Sequence, residues 1–481
     1  MDSQASGRGA APGMTGTDKL ALGLLVLLVL LQCLTTAMTL RYYPDGFWTE
    51  NFYHPAAVNL LKYGVYGFGE GADITPSTFR PPLYSVALAA LYAVFGPSEV
   101  VGVIFNNVLL TITVVFTYLI GRRLSGMIGL LAAVAIVLDS IYLSEANRNQ
   151  SDLLFTFFVV AGFYYALRSC DRPLSLKWVA AAGLAFALGT FTRAAGLYLW
   201  PMLVGLLVVV HWRHASRRKL VLAALTVAAI NAAFILPWMA RNASVTGNSD
   251  YAGMKGYHIT YFYAPLFIAK RDGITHRDAK LQLGQGFAAL VGDQKLTPGE
   301  REKLLSAYGA NLVRENWVNA LIVLPGNVPR MFFSYASESI AVLLGEKRFN
   351  AWFERYQGDH AAGNTPTGGG LASLLRYYVE TGLIVIIGYG ALVKVLTISV
   401  LVLGATGCIL LLLSRDPRRF SLGLTIFLIC GILTATSILA TQGRFRLPVM
   451  PGLAVAAAFV LTEAWAWLRS RRARSALAAK A

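Results

Sequence analysis

Three short polar motifs set among hydrophobic runs hold the residues best suited to chemistry. They are Thr49-Glu50-Asn51-Phe52-Tyr53, Arg80-Pro81-Pro82-Leu83 and Pro237-Trp238-Met239-Ala240-Arg241-Asn242. Glu50 opens an expected amphipathic helix, Glu50 to Tyr63, and a carboxylate there can take the proton from a hydroxyl attacking a sugar carbon. The simpler account of Glu50 is a first-turn charge stabilised by the helix dipole. Asp45, in the same connection, competes for the base role. Asp152 starts a later apolar run, where an ionisable group is costly and commonly functional. Its plain alternative is a Ser151-Asp152 helix cap. Asp139 is a further acidic candidate, with pairing to Arg148 as its bland alternative.

The cations complement these acids. Arg80 precedes two prolines that fix the backbone and limit where its guanidinium points, and arginine suits forked contact with phosphate. Arg193, Arg241 and Arg444 stand at ends of apolar runs, where snorkelling to lipid headgroups is the competing explanation. Tyr53 and an aromatic patch that includes Tyr257 and Tyr261 could stack on sugar faces or sit at the membrane interface. Of six histidines only His54 and His258 fall near these motifs, and neither has a partner at ligand spacing, so neither a metal site nor a cofactor is expected. Cys33, Cys170, Cys408 and Cys430 have neither metal spacing nor a disulfide pattern.

The elements that must position these residues are membrane helices. Hydrophobic residues make up 56% of the chain and charged ones 14%, which excludes a large soluble domain as the main body. The net charge of +17 is gathered in short clusters between apolar runs, such as Arg122-Arg123, Arg213 to Lys219, Arg415 to Arg419 and Arg469 to Arg474. That is the pattern of cytoplasmic loops, and no basic stripe with interleaved aromatics suggests nucleic acid. The run Leu20 to Leu40 can span about 30 Å of hydrocarbon and lacks a small-residue cleavage site, so it reads as a retained first helix.

Placing every basic cluster on one side gives roughly ten spans, at 20–40, 100–120, 127–143, 152–168, 177–192, 196–212, 220–239, about 390–413, 420–440 and 447–468. Both termini are then cytoplasmic. Pro82 to Phe95 is too short to cross and becomes an external re-entrant or interfacial helix. The expected organisation is a cytoplasmic tail 1–19, a membrane module 20–242 with a first external loop 41–99, an external loop 243–389, final helices 390–468 and a basic cytoplasmic tail 469–481. In this solution Asp45, Glu50, Arg80, Glu145, Asp152, Arg193, Arg241 and Arg444 converge on the outer face, although none was used to build it. Within the external loop, Thr297-Pro298-Gly299-Glu300 reads as a capping box opening a helix to about Val323, and 321–344 reads as a surface-lying helix.

The motifs resemble the polytopic glycosyltransferases of the C-type fold, in the branch of aminoarabinose transferase and protein O-mannosyltransferases. The resemblance rests on the Thr49 to Tyr53 segment with its following helix, Arg80 to Leu83, Asp152, Gly189 to Arg193, Pro237-Trp238 with Arg241-Asn242, and Arg444-Phe445-Arg446-Leu447-Pro448. Here Thr49 stands for the first acid of the family's pair, leaving Glu50 or Asp45 as base. Phe79 stands where some relatives place an acidic metal ligand.

The resemblance implies a membrane enzyme, without cofactor, in a bacterial inner membrane. It would move a sugar from a polyprenyl-phosphate donor to a lipid, glycan or protein acceptor at the outer face, with inversion. Glu50 or Asp45 would be the base, Asp152 would orient acceptor or sugar, and Arg80 with Arg241 would offset charge on the departing phosphate, with Arg193 and Arg444 nearby. The alternative is a transporter or flippase of lipid-linked sugars, which would favour paired half-repeats and broken helices at the midplane. Neither is evident in the sequence.

Overall fold

The computed structural model describes residues 15–42, 52–333, 379, 384–438 and 442–478. It is a helical, multi-pass integral membrane protein. Eight described helices are long and apolar enough to cross a bilayer. They are α1 (Gly16–Tyr42), α4 (Glu99–Arg122), α7 (Asp152–Ser169), a unit of a short 3-10 turn (Ala194–Tyr198) with α9 (Leu199–His211), α10 (Arg217–Thr246), α16 (Ile384–Leu412), α17 (Pro417–Ser437) and α18 (Met450–Ala478). The bent pair α5 (Gly126–Leu138) and α6 (Ser140–Ala146) forms a ninth candidate. The expected segment 177–192 is the seventeen-residue apolar helix α8 (Leu176–Thr192), shorter than these, so the described residues hold eight or nine candidate spans against roughly ten expected. Helix α2 (Tyr53–Tyr63) starts at Tyr53 with Phe52 as its N-cap, three residues after the start expected at Glu50, and α3 (Leu83–Phe95) has thirteen residues. At 1.5 Å per residue α3 reaches about 20 Å, short of a hydrocarbon core.

The α5–α6 break has an identifiable cause. Asp139 leaves the helical conformation (φ −79°, ψ 109°), and its side chain accepts from the Ile141 amide at 3.2 Å, capping α6. The two helices diverge by 63°. The Asp139 carboxylate also receives Arg446 in a fork, from Nη2 at 2.7 Å and Nε at 3.2 Å. This corrects the expected Asp139–Arg148 pairing: Arg148 turns back three residues to Glu145, at 3.0 Å.

Beyond α10, helices α11 (Lys255–His258), α12 (Ala264–Asp272), α13 (His276–Val291), α14 (Pro298–Glu315) and α15 (Trp317–Phe333) build an extramembrane unit. Helix α10 runs on to Thr246, past the start of the expected 243–389 loop. The capping box is present, with the Thr297 amide donating to Glu300 at 2.8 Å and the Glu300 amide to the Thr297 hydroxyl at 3.3 Å. The helix it starts ends at Glu315 and does not reach Val323. Asn316 breaks it: its side chain donates to the Leu312 carbonyl at 2.9 Å and accepts from Arg271 at 2.9 Å, competing with the helical backbone. The expected surface helix is described only through Phe333, as α15. All four cysteines are free thiols.

Helix α14 sits so close to α11 that a Cβ on Gly256 would lie 2.5 Å from the Ser306 nitrogen. Glu302 fastens this contact, accepting from the Gly256 amide at 3.2 Å and the Ser306 hydroxyl at 3.3 Å. Burial, with Asp250 nearby, pushes the Glu302 carboxyl up to about 7.

Two outcomes are expected. In Arg446→Met the Asp139 carboxylate stays buried without its guanidinium, at a cost of about 3–5 kcal/mol. Thermal unfolding in detergent should shift down accordingly and recover substantially in Arg446→Met/Asp139→Asn. An unchanged midpoint would show that the pair is dispensable. For Glu302, a folded pKa above the ordinary one means that its contribution is greatest below about pH 4.5 and is lost as pH rises to about 7. Glu302→Gln should therefore match wild type at pH 5 and exceed it in thermal stability at pH 8. An equal difference at both values would contradict this.

Candidate active site

The site begins with a guanidinium held by rings. Phe52 and Tyr53 open α2, and the Arg80 guanidinium lies 4.9 Å from the centroid of each ring and 5.9 Å from that of Phe79. Asn59, buried on α2, donates to the carbonyls of Gly67 (3.1 Å) and Gly69 (3.0 Å). It thereby holds a two-residue hairpin, Gly67–Phe68 against Thr75–Pro76. The Tyr66 hydroxyl donates to the Arg80 carbonyl at 3.2 Å. Pro81 and Pro82 then lead into α3, so backbone and aromatic faces together fix where Arg80 lies.

The second group surrounds Asp152, the first residue of α7. Its Oδ1 receives Arg193 Nη1 at 2.7 Å, and its Oδ2 lies 3.7 Å from Arg444 Nη1. Arg193 follows α8 in an extended conformation, and Arg444 stands on a short 3-10 helix, Gly443–Arg446, ahead of the last span. Arg444 also donates to the Gln150 side chain. The Phe445 ring has Arg193 5.2 Å and Arg444 5.6 Å from its centroid. Ser151 makes no cap bond; its hydroxyl meets the Tyr53 hydroxyl at 2.6 Å and Arg193 at 3.4 Å. The Ser151-Asp152 pair is thus wired into the site and does not act as a simple cap.

These groups line one cavity of about 450 Å³. Tyr53, Arg80, Asp152, Arg193, Arg444 and Phe445 form one wall. Asp250, Tyr251, Lys255 and His258, from the start of the extramembrane unit, form another. Phe155, Leu197 and Leu433 supply apolar surface between them. Among the described residues the lining holds four cations, Arg80, Arg193, Arg444 and Lys255, and two carboxylates, Asp152 and Asp250. Such a lining suits an anion with an apolar attachment. Tyr251 is fixed at both ends: its hydroxyl donates to the Thr190 carbonyl (2.9 Å), and its own carbonyl accepts from the Trp238 indole (2.9 Å).

Not every residue singled out in the sequence lies there. Arg241 donates to the carbonyls of Ser77 (2.6 Å) and Tyr66 (3.2 Å) and lies 4.9 Å over the Trp238 ring, outside the cavity lining. Its fork is filled by backbone carbonyls, so it clamps the hairpin to α10. Tyr257 packs edge-on against Phe79 at 5.5 Å and against Tyr261 at 5.1 Å. Tyr261 continues into a small cluster with Phe287 and Leu305. Neither tyrosine lines the cavity, because the aromatic patch serves to pack the extramembrane unit. His54 bonds the Tyr92 hydroxyl at 2.9 Å. Asp45 and Glu50 lie outside the described residues. Among the described residues no three His, Cys, Asp or Glu side chains could together hold a metal ion.

Sequence reasoning passed over Phe445, Gln150, Ser151 and Lys255 as site residues. Phe445 was visible inside the Arg444 to Pro448 motif, and Gln150-Ser151 immediately precede Asp152. Lys255 had no local signal, since only the fold carries it to this cavity.

Residues 79–238 match the family model described as dolichyl-phosphate-mannose-protein mannosyltransferase. An uncharacterized protein of Aquifex aeolicus is 28% identical over 185 residues, which are 36% of this chain and 35% of that protein. Similar solved structures include the Archaeoglobus fulgidus oligosaccharyltransferase AglB, in complex with an inhibitory peptide and a dolichol-phosphate. Its TM-score is 0.48, at 13% identity, covering 96% of this chain and 52% of that one. ArnT from Cupriavidus metallidurans, bound to undecaprenyl phosphate, gives a TM-score of 0.39 at 14% identity, covering 91% of this chain and 78% of that one. The chain thus spans about a third of the Aquifex protein and about half of the archaeal one. The stretch similar to that family model, residues 79–238, holds Arg80, Asp152, Arg193 and Trp238.

Proposed function

We propose that the protein is a glycosyltransferase that takes a sugar from a polyprenyl-phosphate donor and passes it to a hydroxyl-bearing lipid, glycan or protein acceptor. What supports this reading is a cavity whose lining, among the described residues, brings Arg80, Arg193, Arg444 and Lys255 together with Asp152, Asp250 and the apolar Phe155, Leu197 and Leu433. The family matched over residues 79–238 is named for a sugar carried on dolichyl phosphate, which agrees with that chemistry.

In the proposed reaction the acceptor oxygen forms a bond to the anomeric carbon on the face opposite the phosphate. The carbon–oxygen bond to the phosphate breaks, its electron pair leaves on the phosphate, and the sugar inverts. Glu50, or Asp45 in its place, takes the acceptor proton. Arg80, Arg193 and Arg444 meet the charge that grows on the leaving phosphate, so a separate proton donor is not needed. Asp152 holds two of these guanidiniums. Its Oδ2 accepts no hydrogen bond among the described residues, and it can take one from a sugar or acceptor hydroxyl. Arg241 acts through the hairpin, by keeping the Arg80 connection against α10.

The cavity is assigned to the outer face, with both termini cytoplasmic. Glu70→Cys and Pro97→Cys should both react with an impermeant thiol reagent on intact cells, and His214→Cys only after lysis. Reaction at Glu70 with protection at Pro97 would overturn this orientation.

Purified protein given a polyprenyl-phosphate sugar and acceptor should release free polyprenyl phosphate; donor movement across vesicles without that product would indicate a flippase. Glu50→Gln should cut turnover by about 10²–10⁴-fold with little change in donor binding. Arg80→Ala should weaken donor binding and turnover together, and Arg80→Lys should recover only part, because the fork is lost. Near-normal turnover in Glu50→Gln with loss in Asp45→Asn would move the base role to Asp45. Normal transfer by all of these variants would remove the proposed site.

A further inference from the structure

Asn106 and Asn107 stand in the middle of α4, a membrane helix, where the helical backbone needs no help and a buried amide is costly unless bonded. Asn106 is fully buried and Asn107 is 9% exposed. Each sends an amide donor to the same short stretch of chain, and Asn107 also donates to the Thr36 hydroxyl of α1 at 3.3 Å. Asn106 Nδ2 donates to the carbonyls of Arg148 and Gln150, the latter at 3.2 Å. Asn107 Nδ2 donates to the Ala146 carbonyl at 3.2 Å, as well as to Val103 within its own helix at 2.9 Å. Their targets in this stretch belong to the connection 147–151 and the last residue of α6 before it.

That connection is the irregular backbone between α6 and α7, buried inside the bundle. Its Ser151 carbonyl takes the Phe155 amide of α7 at 3.0 Å and its Arg148 carbonyl the Gln150 amide at 2.9 Å, and the asparagines supplement a pairing that no continuous helix provides. Non-helical backbone within a membrane protein persists only where its polar groups are satisfied by protein or water. One turn before Asn106, Gly102 completes the seat: a Cβ there would lie 2.3 Å from the Asn149 Oδ1 atom. Asn149 is held from the other side, accepting from the Tyr84 hydroxyl at 2.9 Å. The same short connection delivers Gln150 to Arg444, Ser151 to Tyr53 and Arg193, and Asp152 to both guanidiniums.

We infer that Asn106 and Asn107, with Gly102, form a cradle on α4 that positions the 146–152 segment, and through it Asp152, for the reaction. They are positioning residues and do not line the cavity. The inference rests on the transferase reading for its catalytic consequence but not for its structural one. Misplacing a reacting constellation by about 1 Å can cost on the order of 10²-fold in rate.

The test compares Asn106→Leu and Gly102→Ala with Asn231→Leu. Asn231 is an equally buried asparagine on α10 that donates to Val227 of its own helix (3.0 Å) and to Gly183 on α8 (3.5 Å), away from the site. Amide hydrogen exchange and turnover would be measured on each full-length protein in the same detergent. Asn106→Leu and Gly102→Ala should speed exchange across residues 146–152 and lower kcat by about 10²-fold, while α8 and α10 keep their protection. Asn231→Leu should leave both the 146–152 exchange and kcat as in wild type. Unchanged exchange at 146–152 in Asn106→Leu, or an equal rise in Asn231→Leu, would overturn the inference. If wild type itself released no polyprenyl phosphate the transferase reading would fail, and the exchange comparison would still decide whether the cradle exists.

Discussion

The arrangement of this protein hangs on a buried ion pair, Asp139 with Arg446. The guanidinium is fully buried and grips the carboxylate by two nitrogens, and it also donates to the Phe332 carbonyl at the end of α15. Three parts of the chain therefore meet on one side chain: the break between α5 and α6, the 3-10 turn that carries Arg444 and Phe445, and the extramembrane unit. The Tyr142 hydroxyl, donating to the Leu447 carbonyl at 2.5 Å, adds a second tie between α6 and that turn. Desolvating two charges offsets much of what their attraction contributes. The value of the pair is geometric, because it sets the turn bearing Arg444 against the helix that leads to Asp152.

The site built on that frame has a consistent electrostatic logic. Arg193 and Arg444 would repel each other, and Asp152 between them supplies one negative charge for two positive ones. The Phe445 ring has both guanidiniums within 5.6 Å of its centroid and offers them its negative face. Arg80 is held in the same manner by Phe52 and Tyr53. Cations held against rings keep their forked donors oriented, and a phosphate entering the cavity would meet several of them at once. Donors already in place need not reorganise as charge develops on a leaving group.

Much of this was legible in the sequence because membrane physics is written locally. Apolar runs and basic clusters mark the spans, and the Thr297–Glu300 box and the short α3 follow from rules that act over a few residues. Asp152 stood out because charge is expensive at the start of an apolar run, Arg80 because two prolines follow it, and Arg193 and Arg444 because they end apolar runs. What the sequence did not show is pairing over long range. Asp139 finds Arg446 across 307 positions, and nothing near either residue distinguishes that partner from Arg148. Arg241 resembles its fellow arginines in every local respect, and only the folded hairpin reveals that carbonyls fill its fork. The Asn316 break after α14 was also hidden, since it depends on Arg271 arriving from another helix. Tyr257 and Tyr261 show the complementary limit, as an aromatic patch reads alike whether it stacks on sugar or on itself.

The central claim is that this cavity holds the phosphate of a polyprenyl-phosphate carrier. Its most direct test is the binding of a short polyprenyl phosphate and of the matching neutral polyprenol to the purified protein, measured side by side with wild type and Arg444→Gln. The account predicts that the phosphate binds wild type at least tenfold more tightly than the alcohol, and that Arg444→Gln loses most of this preference while binding the alcohol as before. Equal binding of phosphate and alcohol by wild type would contradict it.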